Sequence, residues 1–255
     1  MEFTLFSFSA AVICGAFLIA GIIDSICGGG GLITVPAFIA LGLPTHLITG
    51  TNQCAALPGT FVSVYKYIKS GNVHYKSALL TIPFAIVGGY IGAKLNLLIP
   101  LSLLQNIMLV MVPVLVVVTL LNKGHDGKNV VDRYTNGQML ARTAAIGLII
   151  GAYQGFYGPG GGMFFIMGFN MLLKLDLLRC AGNKSLVVIF SSVAAVITYA
   201  KSGAVMWTLA AICAIFYIVG SYIGSSLAIK NGQKIIRPIV LCVAIMLVIK
   251  IAFFR

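Results

Sequence analysis

The sequence predicts an all-α polytopic membrane protein made of two inverted repeats. Of its 255 residues, 60% are hydrophobic and only 9% are charged, whereas a soluble domain carries about a quarter charged residues. Several apolar runs are about 20 residues long, which is the length that a helix needs to cross a bilayer. The third observation is that motifs of the first half of the chain recur in the second half.

Four pairs of segments define the repeat. Tyr67 to Val73 (YIKSGNV) recurs 132 residues later as YAKSGAV, and Ile86 to Leu95 (IVGGYIGAKL) recurs at the same offset as IVGSYIGSSL. Further upstream the offsets are slightly smaller: Asn52 aligns with Asn183 at 131, and the glycine stretch 28–31 aligns with 158–161 at 130. Such self-similarity predicts two copies of one structural unit. We expect an N-terminal transmembrane repeat over 1–122, a cytoplasmic linker over 123–137 and a C-terminal transmembrane repeat over 138–255.

Each half holds five predicted elements in the same order. The first is an apolar helix that ends at a glycine break, over 6–26 and 138–156. The second is a short apolar run, over 32–43 and 162–173, which as a helix rises only about 18 Å. We expect it to re-enter the membrane rather than span it, forming a glycine-broken hairpin with the first helix. Three transmembrane helices complete each half, predicted over 46–68, 76–98 and 102–122 and over 178–200, 205–229 and 235–254.

The basic residues indicate that the two halves have opposite orientations. In the first half the link after the third element is basic and the link after the fourth carries only Lys94. In the second half the link after the third element carries only Lys201, and the basic links precede the third element and follow the fourth. Since basic links favour the cytoplasm, the second half is inverted relative to the first. Secondary transporters commonly combine inverted repeats with broken helices and bind their substrate near the bilayer midplane.

The glycine breaks are candidate anion sites. Each break precedes a short helix, so its free N–H groups lie at a helix N-terminus, which carries partial positive charge and binds anions. Two such helices arriving from opposite sides would converge on one pocket for a small anion. The candidate backbone donors are Gly28, Gly29, Gly30, Gly31, Gly158, Gly160 and Gly161. The alternative is that these glycines only permit close helix packing. The sequence gives little support to a nucleotide-binding loop, because no Gly-Lys-Ser/Thr follows the glycines.

Polar side chains near the breaks complete the predicted substrate site. Asn52 and Asn183 could donate from their amides, or could instead cap a helix or bond between helices. Gln53 and Lys184 come next in each copy, and Lys184 could supply positive charge or anchor at the cytoplasmic face. Gln154 stands where Asp24 stands in the other copy.

Asp24 is the one acidic residue inside an apolar segment, and an acid within the membrane is a functional candidate. An ionised carboxylate would repel an anion, so we consider a proton-coupling role in which protonation favours anion binding. The alternative is a structural group that holds the break.

The sequence carries no catalytic or metal-ligand cluster, and we expect neither an enzyme nor a cofactor. The six cysteines are scattered without a C-x-x-C pair and are typical of small buried residues. The net charge of +12 lies mostly between apolar runs, so it indicates membrane topology rather than nucleic-acid binding.

The first half of the chain resembles the N-terminal signature of the TauE/SafE-type sulfite exporter (TSUP) family in three segments: AGIIDSICGGGGLITVPAF, GTNQC and YIKSGNV. The GPGGG and AGNKS segments resemble its second-half signature. The resemblance implies a multi-pass permease of the bacterial or archaeal inner membrane for sulfur-containing anions such as sulfite, thiosulfate or sulfonates. The family commonly has Asn-Lys at the position of Asn52, where this chain has Gln53 in place of the lysine; Asn183 and Lys184 keep the pair.

The sequence thus favours a secondary transporter of a small sulfur-containing anion that works by alternating access. Two alternatives stay open: a transporter of another small solute, such as a carboxylate or a cation, and a non-transporting membrane subunit.

Overall fold

The structure is a computed structural model that describes residues 8–98 and 134–232, with residues 234–236, 238, 239 and 242 beyond them. Within these ranges the chain is helical and contains no strand. The helices are α1 (Phe8–Cys27), α2 (Gly31–Ala40), α3 (Thr45–Lys69), α4 (Tyr75–Leu98), α5 (Asn136–Phe156), α6 (Gly161–Leu173), α7 (Leu177–Lys201) and α8 (Trp207–Asn231). A π-helical segment, Ile146–Ile150, interrupts α5.

These helices confirm the first four predicted elements of each half to within about three residues. The fifth elements, predicted over 102–122 and 235–254, lie outside the described residues apart from isolated positions in the second. Most of the predicted linker over 123–137 also lies outside them, and the domain boundaries stay a prediction.

Among the described residues, four helices are long and apolar enough to cross a membrane: α4, α5, α7 and α8. The chain is therefore a multi-pass helical membrane protein. By contrast, α2 has 10 residues and α6 has 13, so they rise only about 15 Å and 20 Å. These lengths fit the predicted re-entrant hairpins, whose course in the bilayer stays a prediction.

Local sequence signals explain where several helices begin. Thr135 and Gln138 form a reciprocal capping box at the start of α5. Asp176 accepts a hydrogen bond from the Arg179 amide and so caps α7. Such caps satisfy amides that have no partner inside the helix.

The two halves pack against each other reciprocally, because α1 lies on α8 and α5 lies on α4. Small residues of the repeated IVGGYIGAKL and IVGSYIGSSL motifs allow these contacts. A Cβ on Gly88 would lie 2.6 Å from the Leu148 carbonyl oxygen, and one on Gly220 would lie 2.1 Å from that of Leu18. The close approach of backbones at small residues is typical of membrane helix pairs.

The third helices of the two halves, α3 and α7, run antiparallel. Near the start of α3, a Cβ on Gly50 would lie 2.1 Å from the Ala204 carbonyl oxygen just beyond α7. Near the start of α7, a Cβ on Gly182 would lie 2.0 Å from the Asn72 carbonyl oxygen just beyond α3. Antiparallel, reciprocal packing is what the predicted inverted repeat requires; the orientation of each half across a bilayer stays a prediction.

The predicted alignment of Asn52 with Asn183 is wrong by one residue. Both α3 and α7 are uninterrupted and have 25 residues, and they begin and end 132 residues apart. A continuous helix admits a single offset along its length, so Asn52 corresponds to Lys184 and Thr51 to Asn183. Matching contacts support this register: the Met206 amide donates to Thr51 Oγ1, and the His74 amide donates to Asn183 Oδ1.

Candidate functional site

The two glycine breaks lie in direct contact with each other. Gly28 and Gly158 both have positive φ, +85° and +87°, a conformation that glycine adopts readily and other residues rarely do. A Cβ on Gly28 would lie 2.3 Å from the carbonyl carbon of Gly162, and one on Gly31 would lie 2.8 Å from Pro159 Cα. The breaks therefore need glycine for close packing, as the alternative interpretation of the sequence held.

Close packing does not fill the region, because a cavity of about 30 Å³ lies beside the breaks. Its walls include Leu57, Val188 and Tyr217, near the middle of α3, α7 and α8. The cavity is therefore at mid-depth in the helix bundle. A buried water needs a cavity of roughly 10–15 Å³, so this cavity has room for about two waters.

The cavity walls follow the internal repeat. Several of the lining residues form pairs that occupy equivalent positions in the two halves: Asp24 with Gln154, Asn52 with Lys184, Ala56 with Val188, and Thr60 with Ser192. The cavity therefore lies between corresponding residues of the two halves. Two of these pairs, Asp24 with Gln154 and Asn52 with Lys184, set a charged residue in one half against a neutral residue in the other.

A buried ion pair forms the charged side of the cavity. Lys184 Nζ lies 3.2 Å from Asp24 Oδ2 and donates a hydrogen bond of 2.5 Å to the Asp24 carbonyl oxygen. The lysine side chain is 1% exposed and that of the aspartate 18% exposed. The Gly30 amide also donates to Asp24 Oδ1 at 3.4 Å. Lys184 is thus a cavity residue and not an anchor at the membrane surface.

The equivalent wall of the first half is neutral. Gln53 Nε2 donates to the Gln154 carbonyl oxygen at 2.6 Å, and Ser192 Oγ donates to Gln53 Oε1 at 3.2 Å. Gln53 thereby fills for the second break the role that Lys184 fills for the first. Gln154 Oε1 is buried and has no hydrogen-bond partner among the described residues.

Several donors that reach the cavity are unused. Asn52 Oδ1 accepts from Thr34 Oγ1 at 2.6 Å, and among the described residues we find no acceptor for Asn52 Nδ2. Gly31 and Gly162 line the cavity at the N-termini of α2 and α6, and among the described residues we find no acceptor for their backbone amides either. Unpaired N–H groups at helix N-termini are suited to a bound anion.

Two tyrosines stabilise the breaks from outside the cavity. Tyr67 donates to the Ser25 carbonyl oxygen at 2.9 Å, and Tyr199 donates to the Gly155 carbonyl oxygen at 2.8 Å. The two tyrosines occupy equivalent positions in the YIKSGNV and YAKSGAV motifs, and both are buried. Each hydroxyl satisfies a carbonyl group near the end of a broken helix.

The structure brings together about half of the predicted site. Asp24, Gly31, Asn52, Gln53, Gln154, Gly158 and Lys184 line the cavity. Gly28, Gly29, Gly30, Gly160 and Gly161 belong to the breaks and do not line it.

Asn183 does not line the cavity either. Its Oδ1 accepts from the His74 amide and its Nδ2 donates to Ser77 Oγ, both at 2.8 Å. It therefore caps the start of α4, which is the alternative role that the sequence left open.

Four further lining residues were not predicted from the sequence: Thr60, Gly162, Ser192 and Tyr217. The equivalence of Thr60 and Ser192 at the 132-residue offset was the available signal. Among the described residues, no group of three or more His, Cys, Asp or Glu side chains could hold a metal ion.

Residues 13–251 of the chain match the family described as Sulfite exporter TauE/SafE. A similar relative is the "Probable membrane transporter protein ORF9" of Sinorhizobium sp, which is 32% identical over 98% of this chain and 95% of its own length. The Escherichia coli (strain K12) "Probable membrane transporter protein YfcA" is 28% identical over 92% of this chain and 87% of its own. The Bacillus subtilis (strain 168) "Probable membrane transporter protein YdhB" is 28% identical over 80% and 84%. No solved structure matches the chain.

Proposed function

This chain belongs to the TauE/SafE sulfite exporter family, and we propose that it is a secondary transporter of a small sulfur-containing anion such as sulfite, thiosulfate or an organosulfonate. Membership of the family and the similarity to probable membrane transporters make it a membrane transporter. The substrate, the inner-membrane location and the transport mechanism are our proposals beyond this. A transporter role also accounts for the chain without any catalytic step.

The observation that carries this proposal is the cavity at mid-depth between the two breaks. It combines a buried ammonium group with amide donors that have no acceptor among the described residues, namely Asn52 Nδ2 and the Gly31 and Gly162 amides. Such a set binds an oxyanion by charge-assisted and backbone hydrogen bonds. It supports an anion over a cation, because the one carboxylate among the described lining residues, that of Asp24, is already paired with Lys184.

The cavity has room for about two waters, whereas sulfite has four non-hydrogen atoms. Binding therefore requires local rearrangement, and Lys184 is the group best placed to make room. When the ammonium group turns from Asp24 to the anion, the space that it leaves becomes available to the substrate.

Alternating access follows from the reciprocal packing of the two halves. The binding cavity lies between corresponding residues of the two halves, so rocking one half against the other opens it to each side of the membrane in turn. The inverted repeat is supported by the antiparallel arrangement of α3 and α7.

Asp24 is the proposed proton carrier. It competes with the anion for Lys184, so protonation of its carboxylate releases the ammonium group to the substrate and links anion binding to proton binding. The groups facing Asp24 are Lys184 from α7, Tyr217 from α8 and the Gly30 amide, together with Cys27 on its own helix.

Transport into proteoliposomes tests the proposal. Purified protein should exchange internal unlabelled sulfite for external radiolabelled sulfite, and Lys184→Gln should abolish the exchange. Lys201→Gln is the matched control, because Lys201 is exposed at the end of α7 and its loss should leave exchange unchanged. Exchange of a carboxylate or a cation in place of sulfur anions would favour the other-solute alternative. Failure of every solute to move or to raise the melting temperature would favour a non-transporting subunit.

A further inference from the structure

We infer that the site accepts a monoanion and discriminates against a dianion, so that its substrates are sulfonates or hydrogen sulfite rather than thiosulfate or sulfate. The inference rests on the proposed function and narrows its substrate class. It depends on the charges that line the cavity and on the way the internal repeat places them.

Few charged side chains line the cavity. Lys184 is the one cationic side chain in its lining and Asp24 the one anionic side chain, among the residues that the structure describes. Gln53, Asn52 and Gln154 supply uncharged amides.

A monoanion can neutralise the charge of Lys184 without excess, and a dianion cannot. With Asp24 protonated, Lys184 and a monoanion form a neutral pair at mid-depth. A dianion in the same place leaves one negative charge without a partner, and burying an unpaired charge is strongly unfavourable. With Asp24 ionised, the excess is two negative charges.

The helix N-termini do not make up the difference. An N-terminus contributes roughly half a positive charge, and that of α2 is divided between Asp24, which the Gly30 amide contacts, and the cavity, which Gly31 lines. The N-terminus of α6 stays available through Gly162. It stabilises both kinds of anion and falls short of a second full charge.

The repeat shows what a dianion site would need. Asn52 and Lys184 occupy equivalent positions on α3 and α7 and line the same cavity. Lysine at both positions would place two ammonium groups at the cavity, which would suit a dianion. This chain has the lysine in one half only, so the asymmetry of this pair sets the charge of the substrate.

Competition binding to purified full-length protein tests the inference, with methanesulfonate as the monoanion probe and thiosulfate as the dianion probe. At pH 6 and equal ionic strength, wild-type protein should bind methanesulfonate at least about tenfold more tightly than thiosulfate. Asn52→Lys should raise the affinity for thiosulfate relative to methanesulfonate by about tenfold or more. Ser202→Lys, which adds the same charge in the exposed turn after α7, should leave the ratio unchanged.

Wild-type protein that binds thiosulfate as tightly as methanesulfonate would overturn the inference while leaving the proposed function intact. Failure of both probes and of sulfite to bind would overturn the proposed function and the inference with it. The wild-type ratio decides the matter even if Asn52→Lys fails to fold. In a folded Asn52→Lys protein, an unchanged ratio would show that this position does not set substrate charge and would also overturn the inference.

Discussion

The buried ion pair between Lys184 and Asp24 gives the sharpest prediction about stability. With Nζ and Oδ2 3.2 Å apart, their Coulomb attraction at an effective dielectric constant of about 20 is about 5 kcal/mol. Desolvation offsets much of this attraction. Removing one partner, however, leaves the other charge buried, so Lys184→Gln and Asp24→Asn should each lower the free energy of unfolding by about 3–5 kcal/mol.

The double variant Asp24→Asn/Lys184→Gln should be more stable than the sum of the two losses implies, with a coupling energy of about 2 kcal/mol. The measurement is unfolding of the detergent-solubilised protein by sodium dodecyl sulfate, followed by circular dichroism. The partly exposed pair Arg179 and Asp176, 3.5 Å apart, is the matched control and should couple by less than about 1 kcal/mol.

Losses that add within about 0.5 kcal/mol would refute a functional ion pair.

Three further predictions concern positions outside the cavity. Tyr199→Phe leaves the Gly155 carbonyl group without its donor and should lower the free energy of unfolding by about 1–3 kcal/mol. An unchanged unfolding curve would show that this hydrogen bond does not stabilise the break. Asn183→Ala removes the cap of α4 and should cost about 1–2 kcal/mol, while the Kd for methanesulfonate in a titration stays the same; a weaker Kd would place Asn183 in the site. Cysteines introduced at Ser70 and Ser202, in a cysteine-free background, should react with impermeant maleimide from opposite sides of the membrane, Ser70 from the cytoplasm; labelling from one side only would contradict the inverted repeat.

The helices could be predicted from the sequence because apolar runs and strong turn signals bound them. The α3 helix was predicted over 46–68 and observed over Thr45–Lys69, since a Ser-Gly turn with a positive φ at Gly71 follows it. The α7 helix ends in the same way at Gly203. The glycine breaks were equally visible, because glycine clusters inside apolar segments are uncommon and here occur twice in corresponding positions.

The register of the repeat could not be fixed from the sequence in the segment between the breaks and the third helices. The offset changes from 130 at the breaks to 132 in α3 and α7, and the sequence does not show where the two extra residues lie. Aligning Asn52 with Asn183 matched identical residues and put the change inside a helix. A helix cannot absorb an insertion without losing its regular hydrogen bonds, so the change lies before the third helix.

The pairing of Lys184 with Asp24 was equally out of reach, because the two residues are 160 positions apart. Only the packing of α7 against the end of α1 brings them together. Tyr67 and Tyr199 lie within the repeat motifs. The sequence alone does not distinguish a tyrosine at the membrane interface from one that donates a hydrogen bond to a broken helix, because both lie near helix ends. Their role became visible when each hydroxyl was found beside a carbonyl group of the break in its own half.

The most direct test of the central claim is a structure of the protein with selenite, a heavier analogue of sulfite whose selenium atom is located by anomalous scattering. The account predicts a single selenium peak between the breaks, with the oxyanion within hydrogen-bond distance of the Gly31 and Gly162 amides and Lys184 Nζ. A peak elsewhere in the bundle, under conditions in which selenite competes with sulfite for transport, would contradict it.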